Sequence, residues 1–252
     1  MSSILIIGGN SDIGFATAKI FAKNEYDIHL ASRNIDQLNI KKNEIESLFK
    51  VKCKVTCLDL LQDEQINFFF EKNIEAPDVI LITCGFLEEE EKNFEKIVCV
   101  NYLSPLKFIE KSLEIYKSQK KLKTIIGISS VAGDRGKKKN VIYSSSKSGF
   151  SNYLDGLRQR LYATDIHVIT VKPGWIATKM TKNLNLPKFM ITNVDLVGKK
   201  IFKSFKTKKN TLYVPGYWSI IMFIYKMVPE GLFKIFYYFF WKVKKIIHIF
   251  LY

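Results

Sequence analysis

A tyrosine and a lysine four residues apart, Tyr143 and Lys147, are the residues of this chain best suited to proton transfer. On a helix this spacing places a phenol and an ammonium on the same face. A free tyrosine has a pKa of about 10, and a nearby cation stabilises the phenolate, so we expect Lys147 to lower the pKa of Tyr143. Tyr143 would then serve as a general acid beside a substrate carbonyl.

The same spacing occurs three times in the chain, so the surrounding sequence has to single out one pair. Only Tyr143 has a serine thirteen residues before it, because Leu103 and Tyr225 occupy that offset for the other two tyrosines. That serine, Ser130, ends an apolar run that predicts a strand. Since the C-terminal end of a parallel strand borders the ligand crevice of an α/β sheet, Ser130 is predicted to orient a substrate oxygen and Tyr143 to transfer the proton.

A second motif near the start of the chain has the order strand, glycine-rich turn and helix. Residues 3–7 are apolar and lead directly into Gly8-Gly9-Asn10-Ser11-Asp12-Ile13-Gly14. Gly8 permits a tight turn, Gly14 permits close packing of the helix, and the helix N-terminus offers N–H groups to a pyrophosphate. The predicted dinucleotide-binding residues of this motif are Gly8, Asn10, Ser11, Asp12, Ile13 and Gly14.

Alternating strand and helix patterns continue along the chain without a linker. With 252 residues and 47% hydrophobic composition, the chain can bury one α/β core. We predict a Rossmann-type doubly wound parallel sheet of about seven strands, with helices on both faces, for residues 1–216. Residues 217–252 are predicted to form a C-terminal amphipathic helical extension. The strands are expected at about 3–7, 27–31, 53–57, 79–83, 123–129, 166–172 and 211–214.

These motifs resemble those of the short-chain dehydrogenase/reductase family, and the resemblance extends from residue 3 to about residue 216. It implies an oxidoreductase that interconverts a ketone and an alcohol. Ser130 and Tyr143 would be catalytic together with Lys147, which also binds the nicotinamide ribose, and Asn101 would hold a water that relays protons. The cofactor contacts implied by the resemblance are Asp59 for the adenine amino group, Gly85 in the turn after the fourth strand, and Pro173, Gly174, Ile176 and Thr178 around the nicotinamide.

The chain departs from the family pattern at two places. Asp12 replaces a glycine of the turn, and its carboxylate would either cap a helix beginning at Ile13 or lie near the cofactor diphosphate. Thr83 and Cys84 replace an Asn-Ala pair, which removes a side-chain amide that ties adjacent strands. The catalytic assignment does not depend on either position.

Ser32 and Arg33, at the end of the second predicted strand, indicate which cofactor is bound. An acidic residue here would bind a ribose 2′-hydroxyl, whereas a hydroxyl and a guanidinium suit a 2′-phosphate. We therefore expect NADP(H), with Asp36 partly neutralising the site; the alternative is an arginine that is only solvated. No metal site is expected, because the three histidines are scattered and the four cysteines lack zinc-ligand spacing.

Positive charge is concentrated in the C-terminal part of the chain. The net charge is +15, and residues 199–252 contain eleven lysines and one glutamate. Residues 232–252, drawn as a helix, place apolar side chains on one side and lysines on the other, which is typical of a helix lying in a membrane interface. The alternatives are a helix packed on the sheet or a dimer interface. Nucleic-acid binding is not expected, because no recognition fold accompanies the basic residues.

A narrower resemblance is to the decaprenylphosphoryl-2-keto-ribose reductase branch of the family. It rests on the glycine turn with its acidic residue, the basic loop 133–139 and the tail after Val214-Pro215. It implies NADPH-dependent reduction of a keto-sugar on a polyprenyl phosphate, whose phosphate the loop lysines would bind unless they are only solvated. Another lipid ketone (a ketosphinganine, a ketosteroid or a 3-oxoacyl chain) and a non-catalytic NADP-binding regulatory protein stay open. We expect a homo-oligomer in the cytoplasm, on the cytoplasmic face of a membrane.

Overall fold

The protein forms a parallel sheet covered by helices on both faces. The computed structural model describes residues 2–88, 90–136, 138–182, 190–232 and 234–235. In these residues the sheet has seven strands in the order β3-β2-β1-β4-β5-β6-β7, and all neighbouring strands are parallel. The strands are β1 Ser3–Ile7, β2 Asp27–Ser32, β3 Cys53–Cys57, β4 Val79–Ile82, β5 Thr124–Ile128, β6 His167–Pro173 and β7 Thr211–Val214. The predicted sheet is confirmed, and each strand end lies within one residue of its predicted position.

Short apolar runs form the middle of the sheet. Every residue of β4 and of β5 is buried, as expected for central strands covered on both faces. The helices are α1 Asp12–Lys23, α2 Ile35–Phe49, α3 Asp63–Lys72, α4 Phe94–Val98, α5 Ser104–Tyr116, α6 Val141–Arg160, α7 Val194–Lys206 and α8 Trp218–Met227. One buried cluster joins the sheet to α1, α2 and α7, and a second joins it to α3, α5 and α6 on the opposite face.

Strands β1 and β4 lie side by side where the strand order reverses. The connections leave the sheet in opposite directions on either side of this point, which opens a crevice beyond the C-terminal strand ends. The glycine turn follows β1, Gly85 follows β4 and Ser130 follows β5. The topology therefore brings the two sequence motifs to the same edge of the sheet.

Helix α8 begins the C-terminal extension, directly after β7. The helix predicted over 232–252 lies outside the described residues except for Leu232, Lys234 and Ile235. Within the part of the chain that the structure describes, no helix combines the length and the apolar character needed to cross a bilayer.

Candidate active site

A cavity of about 1040 Å³ lies at the C-terminal ends of the central strands. It is lined by every predicted site residue except Gly14 and Asn101. The three predicted catalytic residues on its wall are Ser130, Tyr143 and Lys147, and the predicted cofactor residues are Gly8, Asn10, Ser11, Asp12, Ile13, Ser32, Arg33, Asp59, Gly85, Pro173, Gly174, Ile176 and Thr178. One cavity therefore joins the two motifs.

The turn after β1 requires its two outer glycines. Gly8 has a φ of +85°, and a Cβ added there would lie 2.7 Å from Thr83 Oγ1. A Cβ on Gly14 would lie 2.9 Å from the Gly8 carbonyl oxygen. Side chains at these positions would push the first turn of α1 away from β1, so the glycines keep the helix N-terminus at the cavity wall.

Thr83 compensates for the missing family amide. Its hydroxyl lies 2.8 Å from the Ile7 carbonyl oxygen and 2.9 Å from that of Gly8, and it accepts a hydrogen bond from Ser11 Oγ at 2.9 Å. The end of β4 is thus tied to the turn after β1. The threonine at this position preserves the link that the sequence analysis expected to be lost.

The prediction that Asp12 caps helix α1 is wrong. Ser11 is the N-cap, its Oγ accepting from the Gly14 N–H at 2.9 Å, because a serine hydroxyl just before the helix reaches the free N–H groups of the first turn. Asp12 is the first residue of the helix, and its carboxylate accepts from the Lys179 N–H at 2.7 Å. Asp12 therefore ties the glycine turn to the segment after β6 that contains Thr178.

Ser130 and Tyr143 both line the cavity, and the Ser130 hydroxyl lies close enough to affect the ionisation of the Tyr143 phenol. Ser130 Oγ accepts from the Ala132 N–H at 3.1 Å, which holds the hydroxyl at the start of a short 3₁₀ turn. Burial raises the pKa of Tyr143, and the nearby Ser130 hydroxyl opposes this only in part. The predicted lowering of the Tyr143 pKa is therefore wrong for this structure, and Tyr143 carries its proton at neutral pH.

The ammonium of Lys147 is engaged with the sheet instead. Its Nζ donates to the Cys84 carbonyl at 3.2 Å and to the Ile128 carbonyl at 3.1 Å, and the residue is 2% exposed. Burial lowers the pKa of Lys147 to about 8. Between pH 8 and pH 10.5 the amine is protonated in the unfolded chain and mostly neutral in the folded one. The cost of burying the charge therefore falls, and the free energy of unfolding rises, as pH increases through this window.

The side chain of Asn101 holds the segment after β4 in place. It lies in a π-helical turn, Cys99–Leu103, and is fully buried. Its amide accepts from the Phe86 N–H at 2.8 Å and donates to the Phe86 carbonyl at 2.7 Å. The contact of Asn101 with a relay water stays a prediction.

The residues predicted to bind the adenosine half form one rim of the cavity. Ser32 ends β2, and the exposed Arg33 follows it. Asp59 follows β3, and one of its carboxylate oxygens accepts from the Leu61 N–H at 3.1 Å. Asp36, which we expected to neutralise this region partly, is not among the lining residues.

The opposite rim includes the end of β6. The Gly174 N–H donates to the Val214 carbonyl at 2.9 Å, and a Cβ on Gly174 would overlap the indole of Trp218 in α8. Ile176 forms a bridge with Thr192. Of the residues predicted around the nicotinamide, Gly174 thus packs directly against α8.

Glu91 is a residue of this site that the sequence analysis missed. Its carboxylate accepts from the Tyr143 N–H at 2.7 Å and from the Ile142 N–H at 3.1 Å, in the first turn of α6. Asn140, just before the helix, has a φ of 62° and does not cap it with its side chain. Glu91 takes that role from a loop 52 residues away from Tyr143, so no local capping pattern could reveal it.

Metal ligation has no structural support in the part of the chain described. No group of three or more histidine, cysteine, aspartate or glutamate side chains there is arranged to hold an ion. The four cysteines are free thiols.

Comparisons with known proteins agree with this geometry. The family model for short chain dehydrogenases matches residues 2–188. The chain belongs to the short-chain dehydrogenase family. An uncharacterised oxidoreductase of Streptomyces coelicolor is 26% identical over 92% of this chain and 94% of its own length. A 3-oxoacyl-acyl-carrier-protein reductase of Aquifex aeolicus is 27% identical over 72% of this chain and 76% of its own length.

Solved structures show the same fold as this short-chain dehydrogenase. A short-chain dehydrogenase from Sphingobium yanoikuyae, solved in complex with NADPH, superposes with a TM-score of 0.77 at 18% identity. The superposition covers 91% of this chain and 97% of that one. The shared fold therefore covers more of the chain than the family model does.

Replacing Glu91 tests its role as the cap of the catalytic helix. Glu91→Ala should lower the free energy of unfolding by about 1 kcal/mol, as loss of a helix cap does, and should lower kcat by roughly tenfold by releasing Tyr143. The KM for NADPH should change less than kcat, because Lys147 is the one residue of α6 predicted to bind the cofactor and the others lie on other segments. Glu91→Gln keeps one acceptor oxygen, so its free energy of unfolding and its kcat should lie between those of the unmodified protein and those of Glu91→Ala.

Glu90→Ala is the matched control, since Glu90 is an exposed neighbour paired only with the exposed Lys92 among the contacts described. Chemical denaturation measures the free energy of unfolding of each variant, and steady-state kinetics measures its kcat. Equal effects of the two alanine substitutions would show that Glu91 has no special role.

Proposed function

We propose that this short-chain dehydrogenase reduces a ketone to a secondary alcohol with NADPH. The observation that carries the proposal is a single cavity whose wall brings together Ser130, Tyr143, the buried Lys147, the glycine turn and Arg33. Reduction of a ketone by a dinucleotide needs a cofactor site and a proton donor in the same pocket, and this cavity has both. The two relatives described above are an oxidoreductase and a ketone-reducing enzyme by name, which supports this reaction class.

The residues present fit the cofactor. The turn at Gly8 and Gly14 has no room for side chains, so the first turn of α1 can approach a diphosphate with its N–H groups. Arg33 offers an exposed guanidinium on the cavity wall for a 2′-phosphate. When bound, NADPH supplies the hydride.

The side chains of this chain supply the proton and orient the substrate. Ser130 and Tyr143 present two hydroxyl groups to a carbonyl oxygen, and the raised pKa of Tyr143 keeps its proton in place until negative charge develops on that oxygen. Lys147 uses two of its three N–H donors on the carbonyls beyond β4 and at the end of β5, which leaves one donor for a ribose hydroxyl of the nicotinamide half. Because Tyr143 carries its proton, reduction is the direction that the protonation states favour.

The substrate that we propose is a lipid-borne ketone, specifically a keto-sugar on a polyprenyl phosphate. Lys139 lines the cavity near Tyr143 and can bind a phosphate. The wall on the catalytic side is otherwise rich in apolar side chains: Leu87, Val100, Val131, Trp175 and Met180. A ketosphinganine, a ketosteroid or a 3-oxoacyl chain would also fit an apolar wall, but none of them uses a phosphate beside the ketone.

Removing one hydroxyl tests the reaction. Tyr143→Phe should bind NADPH with unchanged affinity and lose turnover by about two to four orders of magnitude, because general acid catalysis is removed. NADPH oxidation should be followed with a polyprenyl-phosphate keto-sugar and with the other lipid ketones, and the keto-sugar should give the highest kcat/KM. Tyr162→Phe is the control, since Tyr162 is 90% exposed and remote from the cavity lining.

Normal turnover of Tyr143→Phe would overturn the catalytic assignment. NADPH binding without oxidation, in the unmodified protein and with every ketone, would instead favour a non-catalytic regulatory protein. A higher kcat/KM for an uncharged lipid ketone would keep the reaction and replace the substrate.

Replacing Arg33 tests the choice of cofactor. Arg33→Gln should raise the Kd of NADPH about 10- to 100-fold, the equivalent of one charge-assisted hydrogen bond of roughly 1.5–3 kcal/mol, and leave the Kd of NADH unchanged. Arg160→Gln, which removes an exposed arginine from α6, is the control and should affect neither. Titration calorimetry measures all four constants, and equal losses for both cofactors in Arg33→Gln would exclude contact with the 2′-phosphate.

A further inference from the structure

Helix α8 is apolar on two sides. Trp218 and Met222 pack inward and are 5% and 2% exposed. The opposite side carries an outer stripe of four residues, each 59–68% exposed: Ile220, Phe223, Ile224 and Met227. Their spacing of three, four and seven residues gathers them on one face of the helix. A contiguous apolar stripe that faces outward on an otherwise well-packed domain is the signature of a surface that binds a partner.

The helix is fastened to the catalytic part of the molecule. Arg135, five residues after Ser130, donates from Nη1 to the Tyr225 carbonyl at 2.5 Å and to the Val228 carbonyl at 2.7 Å, at the C-terminal end of α8. Trp218 meets Trp175 edge to face at a centroid distance of 5.4 Å. Because Trp175 lines the cavity, α8 is separated from the cavity by one layer of side chains.

The loop that supplies Arg135 is held by contacts with the last two strands of the sheet. The side chain of Asp134 is buried, pairs with Lys172 of β6, and accepts from the Tyr213 hydroxyl of β7 at 2.7 Å. The exposed Lys138 and Lys139 follow in the same loop, and Lys139 reaches the cavity wall. A basic segment therefore continues from the C-terminal end of α8 to the mouth of the cavity.

We propose that the outer stripe of α8 binds the surface of an anionic lipid bilayer, with the mouth of the cavity facing the lipid. Isoleucine, phenylalanine and methionine on one helix face, with lysines beside it, match the apolar boundary and the negatively charged headgroups of such a surface. A second copy of the chain is a poorer occupant. The exposed Lys226 lies on α8 itself, and Arg135 contacts the C-terminal end of the helix, so two copies meeting at α8 would bring like charges together.

Vesicle flotation with the full chain tests this surface. The unmodified protein should float with vesicles of phosphatidylcholine and phosphatidylglycerol and much less with phosphatidylcholine alone, and high salt should reduce binding. The double variant Phe223→Ser, Ile224→Asn should lower the partition coefficient at least tenfold. The matched control is Ile40→Ser, Ile74→Ser, because these residues are 69% and 68% exposed on other parts of the surface.

The outcomes separate the occupants. Equal binding by the two double variants would overturn the proposal and assign any membrane affinity to other residues. Failure of the unmodified protein to float, together with a light-scattering mass that falls in the α8 variant only, would assign the stripe to contact between copies. Unchanged NADPH affinity and thermal unfolding in the α8 variant would show that the domain still folds.

A second experiment, which rests on the proposed function, tests whether α8 gives the cavity access to a substrate in the membrane. With the ketone embedded in anionic vesicles, the α8 variant should lose kcat/KM by at least tenfold, whereas with a water-soluble ketone it should match the unmodified protein. Equal loss with both substrates would indicate damage to the catalytic site rather than loss of membrane contact. Flotation itself requires no turnover, so a failure of the proposed reaction would leave the surface proposal to be judged separately.

Discussion

The buried ammonium of Lys147 is the constraint around which the cavity is built. Burying a charge is costly unless polar groups surround it, and here the carbonyls of Cys84 and Ile128 accept its hydrogen bonds. These carbonyls lie beyond β4 and at the end of β5, two neighbouring strands on one side of the point where the sheet order reverses. Lys147 therefore locks helix α6 to the centre of the sheet and places Tyr143, one turn earlier, over the strand ends.

Small residues around Lys147 make this arrangement possible. A Cβ on Gly133 would lie 2.7 Å from the Lys147 carbonyl carbon, so the 3₁₀ turn after Ser130 can contact the α6 backbone only with a glycine there. Gly85 lies on the other side, where a Cβ would be 3.7 Å from Nζ. Asn101 and Glu91 then hold the segments on either side of this contact through the Phe86 backbone and the first turn of α6. Arg135, just after the 3₁₀ turn, extends these contacts to the surface by donating a hydrogen bond to the Val228 carbonyl at the end of α8.

The sheet and most of the cavity wall could be predicted from the sequence because their signals are local. Apolar runs mark the strands, and the strand–glycine–helix order and the Ser130–Tyr143–Lys147 spacing place residues at strand ends, where topology brings them together. What could not be predicted depends on contacts between distant segments. Asp12 reaches Lys179 across 167 positions, and Glu91 reaches α6 across about 50. The direction of the Tyr143 pKa shift depends on burial, which spacing alone does not reveal.

The position of Lys147 is tested most directly by the titration of its side chain. Heteronuclear NMR of the lysine Cε and Nζ resonances, with Lys147→Met to assign the signal, follows that one amine as pH is raised. Burial should make the Lys147 amine titrate near pH 8, the value to which its pKa is lowered. Titration of Lys147 at its ordinary value of 10.5 would show that the ammonium is solvated and would contradict the account.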